Sequence, residues 1–214
     1  MAGSREEFDR QLEAIEGKVI ELFGMIAEDL PVATRALLSG SDDAAPVLAE
    51  REQAIDALYV EIEGLVTREI LLQSPAAADL RFLISVLRVV PELERSHDLV
   101  VQIAGWASHV LSQDISPRTR GLVERMGELA SGMWRQAADA WYKRDRSAAA
   151  DLDERDEEMT ELHTSLTAEL AAGGMTLPVT MEMTQVARNY ERLGAHAVNI
   201  ARRVIYLAGG PSAR

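Results

Sequence analysis

The sequence predicts an all-α protein built as a tandem repeat of two three-helix bundles, six helices in all. Three observations carry this. Apolar residues recur at steps of three and four over long stretches, the period of a helix face and not of a strand. Ala, Leu, Glu and Arg are plentiful while aromatic residues make up only 5% of the chain, a composition that favours helix. Finally, LAEREQAIDALYVEI at 48–62 aligns with LDERDEEMTELHTSL at 152–166. Leu48, Glu52, Ile55, Tyr59 and Ile62 of the first half become Leu152, Asp156, Met159, His163 and Leu166 of the second.

The first helix spans 5–39, with Phe8, Leu12, Ile15, Val19, Leu22 and Ile26 on one face and Pro31 expected to bend it. GSDDAA at 40–45 is a turn, and Pro46 suits the first turn of a second helix. That helix carries Leu48, Glu52, Ile55, Tyr59, Ile62 and Val66 on one face. Ser74-Pro75 reads as a cap and first-turn pair that opens helix three, and Pro91 should kink that helix. Ser116-Pro117 opens helix four, which ends near Lys143-Arg144. Helix five covers about 146–172 and stops at Gly173-Gly174. Pro178 begins helix six, which continues to Leu207. Short turns between long helices imply antiparallel neighbours, and the two bundles divide as 1–113 and 114–214.

Within helix three, Leu80, Leu83, Leu87 and Val90 mark a buried face, and the same step continues to Glu94, Asp98 and Val101. Two carboxylates one turn apart beside a core are costly unless a cation, an arginine or a donor faces them. Glu52 and Asp56 form a second such pair on helix two. If helices two and three are antiparallel neighbours, the pairs face each other and make an oxygen-rich site for a hard divalent cation. The competing reading is that Arg81, Arg88 and Arg95 neutralise them. The weaker candidates are His97, which offers a ring nitrogen or fills space in the bundle, and Asp156 and Glu191 in the second half. There Asp56 is replaced by Thr160 and Asp98 by Ala195, so metal affinity is expected in the first half alone. His163 reads as structural or solvent-facing, and Trp106, Trp134 and Trp141 as core or bundle seam.

The formal net charge of -13 argues against a non-specific nucleic-acid binder. With no cysteine, disulfides and thiolate metal sites are excluded. The N-terminus is charged where a signal peptide would be apolar, and no run of about 18 apolar residues is present, so a cytoplasmic protein without membrane insertion is expected. No glycine-rich phosphate loop exists.

Asp79-Leu80-Arg81 followed by Glu94-Arg95-Ser96-His97-Asp98 resembles the signature of the PhoU family of bacterial phosphate-signalling proteins. NYERLGAHAVNIARR is similar to a second copy, with Glu191, Arg192, Gly194, His196 and Asn199 in family positions. The resemblance covers nearly the whole sequence and implies the same tandem architecture. It also implies a non-catalytic cytoplasmic regulator that couples the ATPase of a phosphate ABC transporter to a sensor histidine kinase. Such a regulator restrains phosphate uptake and represses the phosphate-starvation response, as a homodimer, with a divalent ion (magnesium, manganese, iron or zinc) on its acidic sites. Two alternatives stand beside it. One is a di-metal carboxylate enzyme, since Glu94 and His97 have Glu-x-x-His spacing; but Glu191 and His196 are five apart and supply no second copy. The other is a helical adaptor unrelated to phosphate.

Overall fold

A computed structural model describes residues 2–41, 43–109 and 114–209, without the side chains of 2–4, 108, 109, 148 and 149. Among the described residues there are six long helices and no strand: α1 (Ala2–Ser39), α2 (Ala44–Gln73), α3 (Ala77–Gly105), α4 (Pro117–Lys143), α5 (Ala148–Ala171) and α6 (Leu177–Leu207). A single 3₁₀ turn, Trp106–His109, follows α3. The boundary expected between 113 and 114 falls at the edge of 110–113, which lie outside the described residues.

Ion pairs fix the helix directions. Lys18 to Glu61 (2.9 Å) and Glu28 to Arg51 (2.9 Å) make α1 and α2 antiparallel. In the second half Asp153 to Arg202 (3.3 Å) and His163 to Glu191 (3.7 Å) do the same for α5 and α6. The halves meet through α1 against α4 and α3 against α6. Glu16 reaches Arg144 at 2.6 Å at one end of α1, and Arg120 bonds the Leu38 carbonyl at the other, so α1 and α4 are antiparallel. Along α3, moving back from Gln102 to Ser96, the α6 partner moves on from Asn189 (3.2 Å) to His196 (2.8 Å). That pair is antiparallel too.

The repeat is visible in what is buried. Leu48, Ile55 and Ile62 of α2 are buried, and so are their counterparts Leu152, Met159 and Leu166 of α5. One continuous hydrophobic core then runs through both halves. At their junction Phe23 of α1 packs 6.3 Å from both Trp134 and Trp141 of α4, and Phe82 of α3 lies 6.4 Å from Trp141. Tilted aromatic pairs at such separations stabilise beyond the area they bury. Both tryptophans are buried core, while Trp106 is half-buried against it.

Local signals differ at one turn. Ser116 caps α4 as expected, its hydroxyl accepting from the Thr119 N–H at 3.0 Å. Ser74 does not cap α3: it sits at φ 45°, ψ 60°, the left-handed residue that ends α2. Helix α3 instead begins at Ala77 after an extended Ala76 with no side-chain cap. A serine before proline is ambiguous, because the same pair that opens a helix can close the previous one. Pro31 and Pro91 lie inside α1 and α3, which run on through them.

Candidate functional site

The acidic pairs of α2 and α3 meet. Glu94 titrates above the ordinary carboxylate range, through burial first and then through the charges of Asp98, Asp56 and Glu52, with Arg95 opposing. Asp98 is raised likewise by burial and by Asp56, while His97 and a hydrogen bond with Glu52 pull the other way. Side chains that perturb one another in this way occupy one electrostatic neighbourhood. The antiparallel α2–α3 hairpin sets the α2 pair across from the α3 pair.

The cluster lies at the margin of the core. Glu52, Glu94 and Asp98 are half-buried and Asp56 is exposed. The stripe read from the sequence is therefore the edge of the buried face: Leu83 and Val90 are buried, but Leu80 and Leu87 are only half-buried. The centre of that face runs through Val86, Val89, Leu93, His97 and Val100. Helix α3 is covered by α1 and α2 on one side and α6 on the other, so its apolar stripe is too wide for spacing alone to locate its middle.

Four carboxylates in partly dry surroundings are the donor chemistry a hard divalent cation selects. Among the described residues, however, no three His, Asp or Glu side chains stand in a metal-coordinating arrangement. The donor types fit such an ion, whereas the side-chain positions are those of a mutually repelling cluster. The arginines cited as alternative neutralisers divide. Arg95 offsets Glu94 in part, whereas Arg88 faces α6.

His97 turns away from this cluster. It is fully buried, and its Nε2 hydrogen-bonds Oδ2 of Asp29 on α1 at 3.0 Å. Asp29, itself 4% exposed, also meets Arg51 of α2 at 3.2 Å. The Glu-x-x-His spacing thus splits between two sites, Glu94 among the acids and His97 inside the bundle. Asp29 carried no sequence signal, since one acid in an amphipathic helix looks like any surface residue.

The second half is built differently. Asp156 is raised by burial and by Asp153 and Glu191, with Arg202 opposing. It lies over Gly194, where an added Cβ would stand 2.9 Å from its Oδ1. Gly194 holds the place that His97 holds in the first half. The missing side chain lets α5 approach α6 closely. His163 is half-buried, its Nε2 3.7 Å from Glu191. Thr160, in the place of Asp56, turns its hydroxyl to the Asp156 carbonyl at 3.0 Å. At the seam between the halves, Ser96 and Glu92 face His196 at 2.8 and 3.6 Å. Burial lowers the pKa of His196, Glu92 raises it, and Arg192 and Arg95 add to the lowering.

Known proteins are similar to this chain in sequence and fold. The chain is 31% identical over 207 residues to a phosphate-specific transport system accessory protein PhoU homolog of Zymomonas mobilis, covering 95% of this chain and 87% of the relative. A homolog of the same description from Mycobacterium leprae is 28% identical, covering 96% of this chain and 94% of its own. The crystal structure of PhoU from Pseudomonas aeruginosa superimposes with a TM-score of 0.88 at 27% identity, over 95% of this chain and 100% of that one. A phosphate transport system regulatory protein PhoU from Streptococcus pneumoniae, 24% identical with a TM-score of 0.88, has the same fold. The PhoU domain model matches twice, at 7–107 and 123–204. Matched once in each half, at the places where the Glu-Arg signature recurs, the domain shows that this chain belongs to the PhoU family.

Proposed function

We propose that the chain is a non-catalytic negative regulator of phosphate uptake and of the phosphate-starvation response. It acts in the cytoplasm as a homodimer, docking on the ATPase of a phosphate ABC transporter and on a sensor histidine kinase. The observation that carries this reading is similarity, over nearly the full chain, to proteins described as accessory to phosphate-specific transport. Because no helix among the described residues is long and apolar enough to cross a membrane, contact with a transporter goes through a docked surface. Glu52, Asp56, Glu94 and Asp98 take a divalent cation in this reading. Binding it would draw α2 and α3 together and tune the shape that partners meet. The split between Glu94 and His97 favours this over a di-metal enzyme, whose template needs both on one centre.

Co-purification of the tagged chain with the transporter ATPase and with the kinase cytoplasmic domain tests the proposal. Capture of either supports it, and capture of neither under phosphate-replete conditions contradicts it.

A further inference from the structure

Beside the seam, α3 and α6 line an open-sided cavity of 810 Å³, with Arg88, Glu92 and Arg95 of α3 and Asn199, Arg202, Arg203 and Tyr206 of α6 at its walls, Arg88, Arg95, Asn199 and Arg202 being exposed. In a chain of net charge -13 this is an inverted environment. Arg202 is paired with Asp153 at 3.3 Å, and Glu92 faces His196 at 3.6 Å. Among the described residues Arg88, Arg95 and Arg203 make no salt bridge. Arg203 is half-buried, and burial and the charge of Arg88 both lower its pKa, with Tyr206 and Glu92 opposing. Guanidinium groups stay charged at any physiological pH. Arg88 and Arg203 face this concavity without a salt bridge and repel each other, a repulsion that a bound anion relieves.

We propose that this cavity binds a small molecule carrying two or more linked phosphoryl groups. Three features select that class. Arginine forks match phosphoryl oxygens in bidentate fashion, and Asn199 and Tyr206 add neutral donors at the same wall. The volume lies within the range of small-molecule sites, about 300–1,000 Å³. The arginines come from both walls and, on α3, from positions two turns apart, so one orthophosphate reaches only part of the set while a chain of phosphoryl groups spans it. The site is separate from the acidic cluster, and its test does not depend on the regulatory reading.

Calorimetric titration of the full chain with sodium tripolyphosphate, ATP, orthophosphate and a polyglutamate peptide tests this. Tripolyphosphate or ATP should bind about tenfold or more tightly than orthophosphate, and Arg88→Ala with Arg203→Ala should weaken that binding by about tenfold or more. The double variant removes a repulsion, so it should melt no lower than wild type. Arg125→Ala, on α4 outside the cavity lining, where it pairs with Glu158 of α5, should bind normally. If ATP binds more tightly and loses that margin in Tyr206→Ala, the occupant is a nucleotide. If tripolyphosphate binds at least as well as ATP, the occupant is an inorganic oligophosphate. The proposal is overturned if neither binds more tightly than orthophosphate, if binding survives the double arginine variant, or if the acidic peptide binds as tightly with the same arginine dependence.

Discussion

His97 Nε2 lies 3.0 Å from Oδ2 of Asp29, both side chains buried, and Arg51 closes on the other carboxylate oxygen at 3.2 Å. The His97–Asp29 hydrogen bond and the Asp29–Arg51 ion pair make a triad that ties α3 to α1 and α2 inside the first half. Removing His97 leaves the buried Oδ2 of Asp29 without its donor, while Arg51 still holds Oδ1, and an unsatisfied buried acceptor costs more than the bond itself contributes. His97→Ala should therefore destabilise by about 2–4 kcal/mol, cavity included. Urea denaturation measures this, and a loss under about 1 kcal/mol would show the triad to be incidental.

Two glycines should respond oppositely to alanine. An added Cβ on Gly127 of α4 would stand 2.6 Å from both Oγ1 and Cγ2 of Thr34 on α1. Thr34 cannot easily yield, because its hydroxyl is held by Tyr190 at 2.7 Å and by the Leu30 carbonyl at 2.9 Å. Gly127→Ala should cost about 1–3 kcal/mol through overpacking, despite the better helix propensity. Gly64 of α2 has open space around it, so Gly64→Ala should stabilise by about 0.5–1 kcal/mol. Thermal unfolding of the pair separates close helix approach from backbone entropy.

The carboxylate cluster gives the protein a signed pH dependence. Glu94, Asp98 and Asp156 all titrate higher in the fold than in the unfolded chain. Each contributes stability while protonated, and that contribution is lost as pH rises from about 4 through the raised native pKa. With chelator present, Asp98→Asn should flatten this slope. At neutral pH it should raise stability by about 0.3 kcal/mol, the value of one relieved like-charge pair on a helix. A drop in stability at pH 7 would mean that Asp98 is held by a favourable contact and not repelled.

Helix number, helix lengths and the repeat were legible because Leu48, Ile55 and Ile62 and their counterparts in α5 keep strict helical spacing. The acid pairs were legible for the same reason: i, i+4 spacing and an antiparallel hairpin leave them only one place to meet. Two kinds of feature were not. The Asp29–His97–Arg51 triad and the arginine cavity each depend on which faces of non-adjacent helices are apposed, and one-dimensional periodicity does not encode this. Arg88 reads as a counter-charge for nearby acids because α6 is more than 80 residues away in sequence. Ser74 ends α2 and does not open α3, since Ser-Pro marks a helix boundary without saying which helix it belongs to.

The central proposal is that Glu52, Asp56, Glu94 and Asp98 act together as a cation site in the first half. Calorimetric titration of the metal-stripped chain with Mn²⁺ addresses it directly. Wild type should bind, and Glu94→Ala with Asp98→Ala should weaken binding about tenfold or more, since half of the charged ligands are gone. Asp156→Asn with Glu191→Gln in the second half should leave it intact. Equal binding by wild type and the Glu94/Asp98 double variant, or no binding by wild type, would contradict the account.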